Sequence, residues 1–544
     1  MRNTIATSSV LLTAMLCACS ADPAGEGDEA ASTGNEEPTT GAEEPTTGEE
    51  PEPFVAFPAR GGIKISKVEA NPGIAVPIGK DGAEVGGAGR NAFIPRERDT
   101  LIRVYVDVPD DWAPRELEAR LVLSVDGVDT TLTQKVLIKT DSEDNNLGTG
   151  FYFGVPKETM LPGLRYQVSL WETQPGQEAL PEPAAPARSP LTGTAFVGVE
   201  SERAEMRVVL VPIDYSFGGC SKVIDGEEHR KAFEDALFQQ NGIQELEFSI
   251  HAPYKVTYDM TTFNGLSKLV SEMSMLHTAD AADPNVYYYG LFDNCGTCIG
   301  DGGVNDGCTV GLAADITGES QADARFRAAA GQLNSGSAET FVHEVGHTQG
   351  RRHIACAGAG VQAQGTDGTY PYADGRIGVW GFGIRDFKLY HPTVNSDYMS
   401  YCGQVWVSDW QWNATYKRIT ALTSWSSADV APTEPKQGGV MIGAVDPSGQ
   451  QIWWTGPGDL SEERTLSATH TVVFEFADGE VEAPAQVSVR EHYPTHNIVA
   501  RLPAGFDERE LLGVRLRDED GEHETVSNAA IRRLHGPNQL KAPN

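Results

Sequence analysis

The sequence predicts a multidomain chain of the α/β-plus-β class, with a central α/β unit flanked on each side by a β-sandwich-like domain. Three observations predict it. At roughly 100–200 residues per domain, 544 residues make about three to five folded units, each long enough to bury a core. Apolar residues alternate with polar ones before residue 200 and again beyond Pro432, the period-two pattern of half-buried strands. Between those regions, apolar strand-like runs alternate with segments whose apolar residues recur at helical spacing, which indicates an α/β unit.

In chain order, residues 1–19 read as a lipoprotein signal peptide. Arg2 supplies a positive start, Ile5 to Met15 is apolar apart from small hydroxyl residues, and Leu16-Cys17-Ala18-Cys19 closes the segment. A small residue before a cysteine is the arrangement of a bacterial lipobox, so Cys19 is the candidate for acylation; Cys17 follows the bulky Leu16 and fits badly. The expected location is lipid-anchored at the bacterial cell envelope or surface. Cleavage of an ordinary signal peptide near Ala18, with release to the medium, is the alternative. Residues 20–57 read as a disordered acidic tether of Glu, Pro, Thr and Gly, too poor in apolar side chains to offset the entropy of ordering.

Residues 58–203 read as the first β-sandwich-like domain. Ile102, Val104, Val106 and Val108 alternate with other residues, as do Leu117, Ala119, Leu121, Leu123 and Val125 before an Asp126-Gly127 turn. Residues 204–428 read as the α/β domain: Met206 to Ile213 is an apolar run, Phe233 and Leu237 share a helix face, Phe263, Leu266, Leu269, Val270 and Met273 mark a second helix, and Val286 to Phe292 is another strand. Residues 429–544 read as a second β-sandwich-like domain with strands at Val473 to Phe476, Val487 to Val489 and Leu512 to Leu516.

The 77 acidic against 42 basic side chains give a formal charge of −35, a field that repels phosphate backbones and anionic headgroups, so nucleic-acid binding is excluded as a function class. The one apolar run near the N-terminus is about fifteen residues long and the interior offers nothing near the roughly 18 that a spanning helix needs, so membrane contact is expected only through the lipid anchor. Export favours disulfides. With Cys17 removed and Cys19 acylated, Cys220, Cys295, Cys298, Cys308, Cys356 and Cys402 remain, an even number that can pair completely.

The informative segment is Phe341-Val342-His343-Glu344-Val345-Gly346-His347-Thr348-Gln349-Gly350-Arg351-Arg352-His353. Ser337 as N-cap and Glu339 near the positive helix start predict a helix from Ala338 to about Gln349. On it, His343 and His347 lie one turn apart on one face. Gly350 can take a positive φ and turn the chain so that His353 returns to the same point. Three neutral imidazoles with a fourth position open are the ligand set of a catalytic zinc site. Glu344, beside the first ligand, is placed to take a proton from a water that Zn2+ acidifies.

This extended motif resembles that of the metzincin zinc metallopeptidases, in which a methionine-containing turn lies beneath the metal site. Here Ser396-Asp397-Tyr398-Met399-Ser400-Tyr401-Cys402 supplies such a turn. The resemblance implies a metzincin-like catalytic domain in which His343, His347 and His353 are zinc ligands, Glu344 is the general base and Met399 is the turn methionine. It also implies that Tyr401 approaches the metal and hydrogen-bonds the tetrahedral intermediate. Cys356, three residues after His353, and Cys402, three after Met399, would tie the two halves of such a site together by a bridge. Tyr370-Pro371-Tyr372, Ile377 to Gly381 and Trp406-Val407-Ser408-Asp409-Trp410 are similar to the secreted bacterial metzincins of the mucin-degrading and related kinds. The resemblance covers roughly residues 206–425; the 46-residue interval from His353 to Met399 leaves room for an insertion that reshapes the cleft.

Weaker signals surround the motif. Cys295-Gly296-Thr297-Cys298 has zinc-finger spacing without a second pair, and with Cys220 and Cys308 it reads as two disulfides of open connectivity. The Asp- and Gly-rich stretch from Asp293 to Gly307 reads as a solvated turn, with Ca2+ binding as the alternative. Thr309 to Ile316 is a candidate edge strand for a peptide substrate. His229, His251 and His391 have no ligand partners at recognisable spacing. The function expected is a zinc endopeptidase acting on extracellular protein or glycoprotein substrates. The alternative is a non-catalytic adhesion or carbohydrate-binding lipoprotein on a vestigial peptidase scaffold.

Overall fold

The computed structural model describes residues 54–300, 308–314, 320–359, 363, 365–426, 439–489 and 495–534. The signal segment with Cys19, most of the tether and the junction at 428/429 lie outside the described residues, as does most of the stretch considered for Ca2+. The described chain is β-rich and built of several sheets.

The N-terminal region folds as two antiparallel sheets. One runs Phe57–Pro58, Arg165–Glu172, Arg115–Val125, Val128–Ile138 in spatial order; the other runs Ala83–Glu84, Val76–Lys80, Lys64–Asn71, Thr100–Asp107, Phe151–Val155. Strict alternation is visible in Arg115–Val125, where Leu117, Ala119, Leu121 and Leu123 are all buried while the residues between them face outward. Asp126 (φ +52°) and Gly127 (φ +76°) both take the left-handed region, as the tight hairpin turn to Val128 requires.

The central region is a mostly parallel sheet in which Glu205–Phe217 pairs with Glu245–Ile250 on one side and Val286–Phe292 on the other; Ala328–Gln332 follows, and Gly311–Ala313 adds an antiparallel edge. Four helices accompany it: α1 (Gly226–Gln240), capped by Asp225; α2 (Phe263–Ala279), capped by Thr262; α3 (Ser337–Thr348); and α4 (Asp409–Ser426). Side chains alternate across the sheet, so Val208, Leu210, Tyr287 and Tyr289 join a core with Phe233 of α1 and Phe341, Val342 and Val345 of α3. Val211, Ile213, Tyr288, Ala328 and Ala330 join a second core with α2 on the opposite face. The first core is continuous with that of the N-terminal sheets, through Ile74, Val76, Ile94 and Trp412.

In the C-terminal region, nine strands between Gly439 and Arg533 belong to a single sheet, which encloses a third core containing Met441, Trp453, Val472, Phe474 and Leu516. The long strand Gly479–Val489 pairs with Thr471–Phe476 through its first half and with His496–Arg501 through its second, so the two groups of strands are joined through it.

Candidate metal centre

Helix α3 carries the motif. Its apolar residues Phe341, Val342 and Val345 bury against the sheet, which turns His343 and His347 to the opposite side. The start differs from expectation: Ser337 is the first helical residue, Gly336 occupies the cap without a side-chain bond, and the Ser337 hydroxyl donates to the Asn334 carbonyl at 3.0 Å. The asparagine turn before the helix already organises these groups. At the other end Gly350 takes φ +78°, with its amide bonded to the His347 carbonyl and that of Arg351 to the Gly346 carbonyl. The chain therefore doubles back and delivers His353, fully buried, to the same point.

The three imidazoles converge through Nε2. His347 Nε2 lies 3.1 Å from Nε2 of both His343 and His353. His343 Nδ1 faces the Tyr398 carbonyl at 2.8 Å and His347 Nδ1 faces the Arg351 carbonyl at 2.8 Å. A carbonyl only accepts, so each of these Nδ1 atoms carries the proton and each Nε2 presents a lone pair. Two lone pairs at this distance repel each other unless a cation lies between them. Bond lengths of about 2.0–2.1 Å to a tetrahedral zinc place neighbouring nitrogens roughly 3.3 Å apart, so the donor set fits such an ion. Burial pushes His343 down to about 4, partly offset by its Nδ1 bond, so the ring is neutral and able to coordinate at physiological pH. Among the described residues this is the one group of three His, Cys, Asp or Glu side chains whose ligand atoms all lie within 4.8 Å of one another.

Around the cluster, Glu344 is buried, and the edge strand Gly311–Ala313 passes so close that a Cβ on Gly311 would come 2.6 Å from Glu344 Oε1. Tyr401 stands 42% exposed, its ring centroid 4.8 Å from that of His353 and 5.8 Å from that of His343. Met399 is fully buried beneath α3, where a Cβ at Gly346 would meet its sulfur at 2.6 Å. The glycine inside the motif is thus a packing requirement.

The turn that holds Met399 is organised by a residue without a sequence signal. Asp397, fully buried, accepts from the Met399 amide (2.9 Å), the Ser408 hydroxyl (2.5 Å) and amide (3.3 Å), and the Tyr370 hydroxyl (3.3 Å). Burial lifts its carboxyl to about 6 against the pull of these donors. The Cys356–Cys402 disulfide, Cα atoms 6.2 Å apart, joins the loop after His353 to the same turn. Cys220 pairs with Cys295 and Cys298 with Cys308, which resolves the connectivity that spacing left open. His251 approaches Asp280 at 3.4 Å and His391 packs on Trp380 with ring centroids 4.6 Å apart; neither joins the cluster. No helix among the described residues is long and apolar enough to cross a membrane.

No protein-family model and no curated protein matches the chain. Among solved structures, one described as a chaperone-substrate complex is similar to it at 15% identity, covering 50% of this chain and 40% of that one, with a TM-score of 0.22. A likeness of that size carries no argument about fold or function.

Proposed function

We propose that the protein is a zinc-dependent endopeptidase of the metzincin kind, acting outside the cell on protein or glycoprotein substrates. On this reading the parallel sheet, its helices and the antiparallel edge strand form the catalytic α/β domain. The observation that carries it is the convergence of three imidazole Nε2 atoms with a carboxylate, Glu344, one residue from the first ligand.

His343, His347 and His353 would hold the metal. When bound, zinc supplies Lewis acidity toward a carbonyl and toward water. Glu344 takes the proton of the attacking water and returns it to the departing amine, a role that suits a buried carboxylate beside the ligands. The Tyr401 hydroxyl, on a half-exposed side chain next to His353, donates a hydrogen bond to the oxyanion that develops on the substrate. A peptide laid along Gly311–Ala313 by strand addition would pass directly over Glu344. The lipobox-like ending at Cys19 and the acidic tether support display of this domain at the cell surface.

The test is degradation of a mixed protein substrate by the purified protein before and after treatment with a zinc chelator. Chelator-sensitive cleavage restored by zinc is expected; cleavage that survives complete removal of the metal, or none by a zinc-replete sample, rejects the proposal.

A further inference from the structure

An unbroken line of hydrogen bonds connects the N-terminal β region to the first ligand of the candidate metal centre. The Gly73 carbonyl, just beyond the strand Lys64–Asn71, accepts from Trp406 Nε1 at 3.0 Å and from the Phe382 amide at 2.9 Å. The Trp406 carbonyl accepts from the Tyr398 amide at 2.9 Å, and the Tyr398 carbonyl accepts from His343 Nδ1 at 2.8 Å. Gly73, Trp406 and Tyr398 are all buried, so water does not compete for these groups.

The loop at Gly73 is itself fixed from several directions. A Cβ there would come within 2.5 Å of the Trp412 ring and 2.8 Å of the Gln239 carbonyl, so only glycine permits the approach. Arg98, fully buried, donates to the carbonyls of Pro72, Phe238, Asn241 and Ile243 and stacks on the rings of Phe238 and Trp412. Trp412 Nε1 donates to the Phe93 carbonyl at 2.9 Å, and the Asn413 amide exchanges bonds with Asn91 and Phe93. The ladder continues from Gly73 into Ile74, bridged to Gly381, and the Ala75 amide bonded to the Trp380 carbonyl.

We infer that the N-terminal β region is a positioning element of the metal centre: Gly73, acting through Trp406 and Tyr398, sets the orientation and tautomer of the His343 ring. The inference rests on the metal reading above. The partner of a ligand's second nitrogen normally controls ring orientation and basicity. Here that partner is a carbonyl in a short irregular turn, and its direction is set by Trp406, which sits stacked on Tyr390 (centroids 3.7 Å apart) and bonded to the other region's backbone. Unlike a detachable pro-segment, this region forms part of the floor that aims the ligand.

The experiment compares three full-length variants with wild type for the rate of zinc release to a chromogenic chelator and for the visible absorption of the cobalt-substituted protein. Trp406→Phe keeps an aromatic ring on Tyr390 and removes the Nε1 donor together with part of the indole. Gly73→Ala displaces the loop more severely. Ser461→Ala removes a bond from the C-terminal region to Asp323 that is no part of this line of hydrogen bonds, and serves as control. Release about 10-fold or more faster in Trp406→Phe and Gly73→Ala, with a shifted cobalt spectrum and an unchanged Ser461→Ala, is the expected result. Release and spectra matching wild type in a folded Trp406→Phe, or an equal acceleration in Ser461→Ala, would overturn the inference while leaving the metal reading intact. A wild-type chain that takes up no zinc would overturn both.

Discussion

The two faces of the central sheet are covered in different ways. On the side of the histidine cluster, α1, α3, α4 and the N-terminal sheets merge into one core, and the junction is rich in directed bonds: the Arg98 fan, the bonds of Asn413 to Asn91 and Phe93, and the Gly73–Trp406 contact. On the other side, α2 is covered by Val440, Ile442, Trp454, Val499 and Leu534 of the C-terminal region. Polar contacts there gather at places such as Asp323, which accepts from Ser461 and Arg464, and Ser267, which bonds Thr495. Apolar burial is non-directional and suffices where a surface only needs covering; hydrogen bonds have preferred angles and suit the face where a ring must be aimed.

Matched substitutions on the two faces can break this contrast. The largest effect is expected at the histidines. His347→Ala should take up no zinc, whereas His277→Ala, which removes an equally buried ring from α2, should retain one equivalent by metal analysis. A full equivalent in His347→Ala would show that the cluster is not the site. Next come the carboxylates. Glu344→Ala should keep its zinc and lose about 10²–10⁴ in turnover. Glu272→Ala, which removes a buried α2 acid bonded to Tyr258 at 2.7 Å, should leave peptide turnover near wild type.

The tryptophans sharpen the contrast. Trp412→Ala and Trp454→Ala each empty a fully buried indole site and should each lower stability by about 3–5 kcal/mol in urea titrations. Only Trp412→Ala should also hasten zinc release, and equal acceleration in both would dissolve the distinction between the faces.

The smallest effects concern pH, and they have opposite signs. Burial lifts Asp397 from 3.8 to about 6, so its contribution to stability is full in acid below 3.8 and is lost as pH rises through about 6. Burial lowers His277 from 6.5 to about 3, with the nearby Arg327 charge adding to it, so its contribution is present above 6.5 and is lost as pH falls toward about 3. Urea midpoints measured between about pH 4 and 7 should therefore fall more steeply toward acid in Asp397→Asn and less steeply in His277→Gln. The same slope in both variants and wild type would remove these groups from the account.

What could be read from the sequence depended on how local the determinant was. His343, His347 and His353 lie within eleven residues, and helix geometry followed by one left-handed glycine is enough to bring them together. The Asp126-Gly127 hairpin and the strand Val286–Phe292 were legible for the same reason. The bridge between Cys356 and Cys402 was implied by the resemblance, which places each cysteine three residues after a residue of the site. The pairing of the other four cysteines, in contrast, is decided by which strand ends meet in three dimensions. Asp397 looked like one more turn residue because its burial depends on Ser408 and Tyr370 arriving from either side. The contact between Gly73 and Trp406 spans 333 positions, and no local pattern announces it.

The strand Gly439–Val445 points Met441 and Val445 into the core of the C-terminal sheet and Val440 and Ile442 toward α2. A strand apolar on both faces cannot serve as the wall of an independent module, because separation would place one face in water. The C-terminal region is thus not a cassette that recombination could move to another protein unchanged. The same packing governs limited proteolysis: a backbone cut between Ser426 and Gly439 would yield two polypeptides that remain one particle, visible as fragments in denaturing gels and as a single species in size-exclusion chromatography.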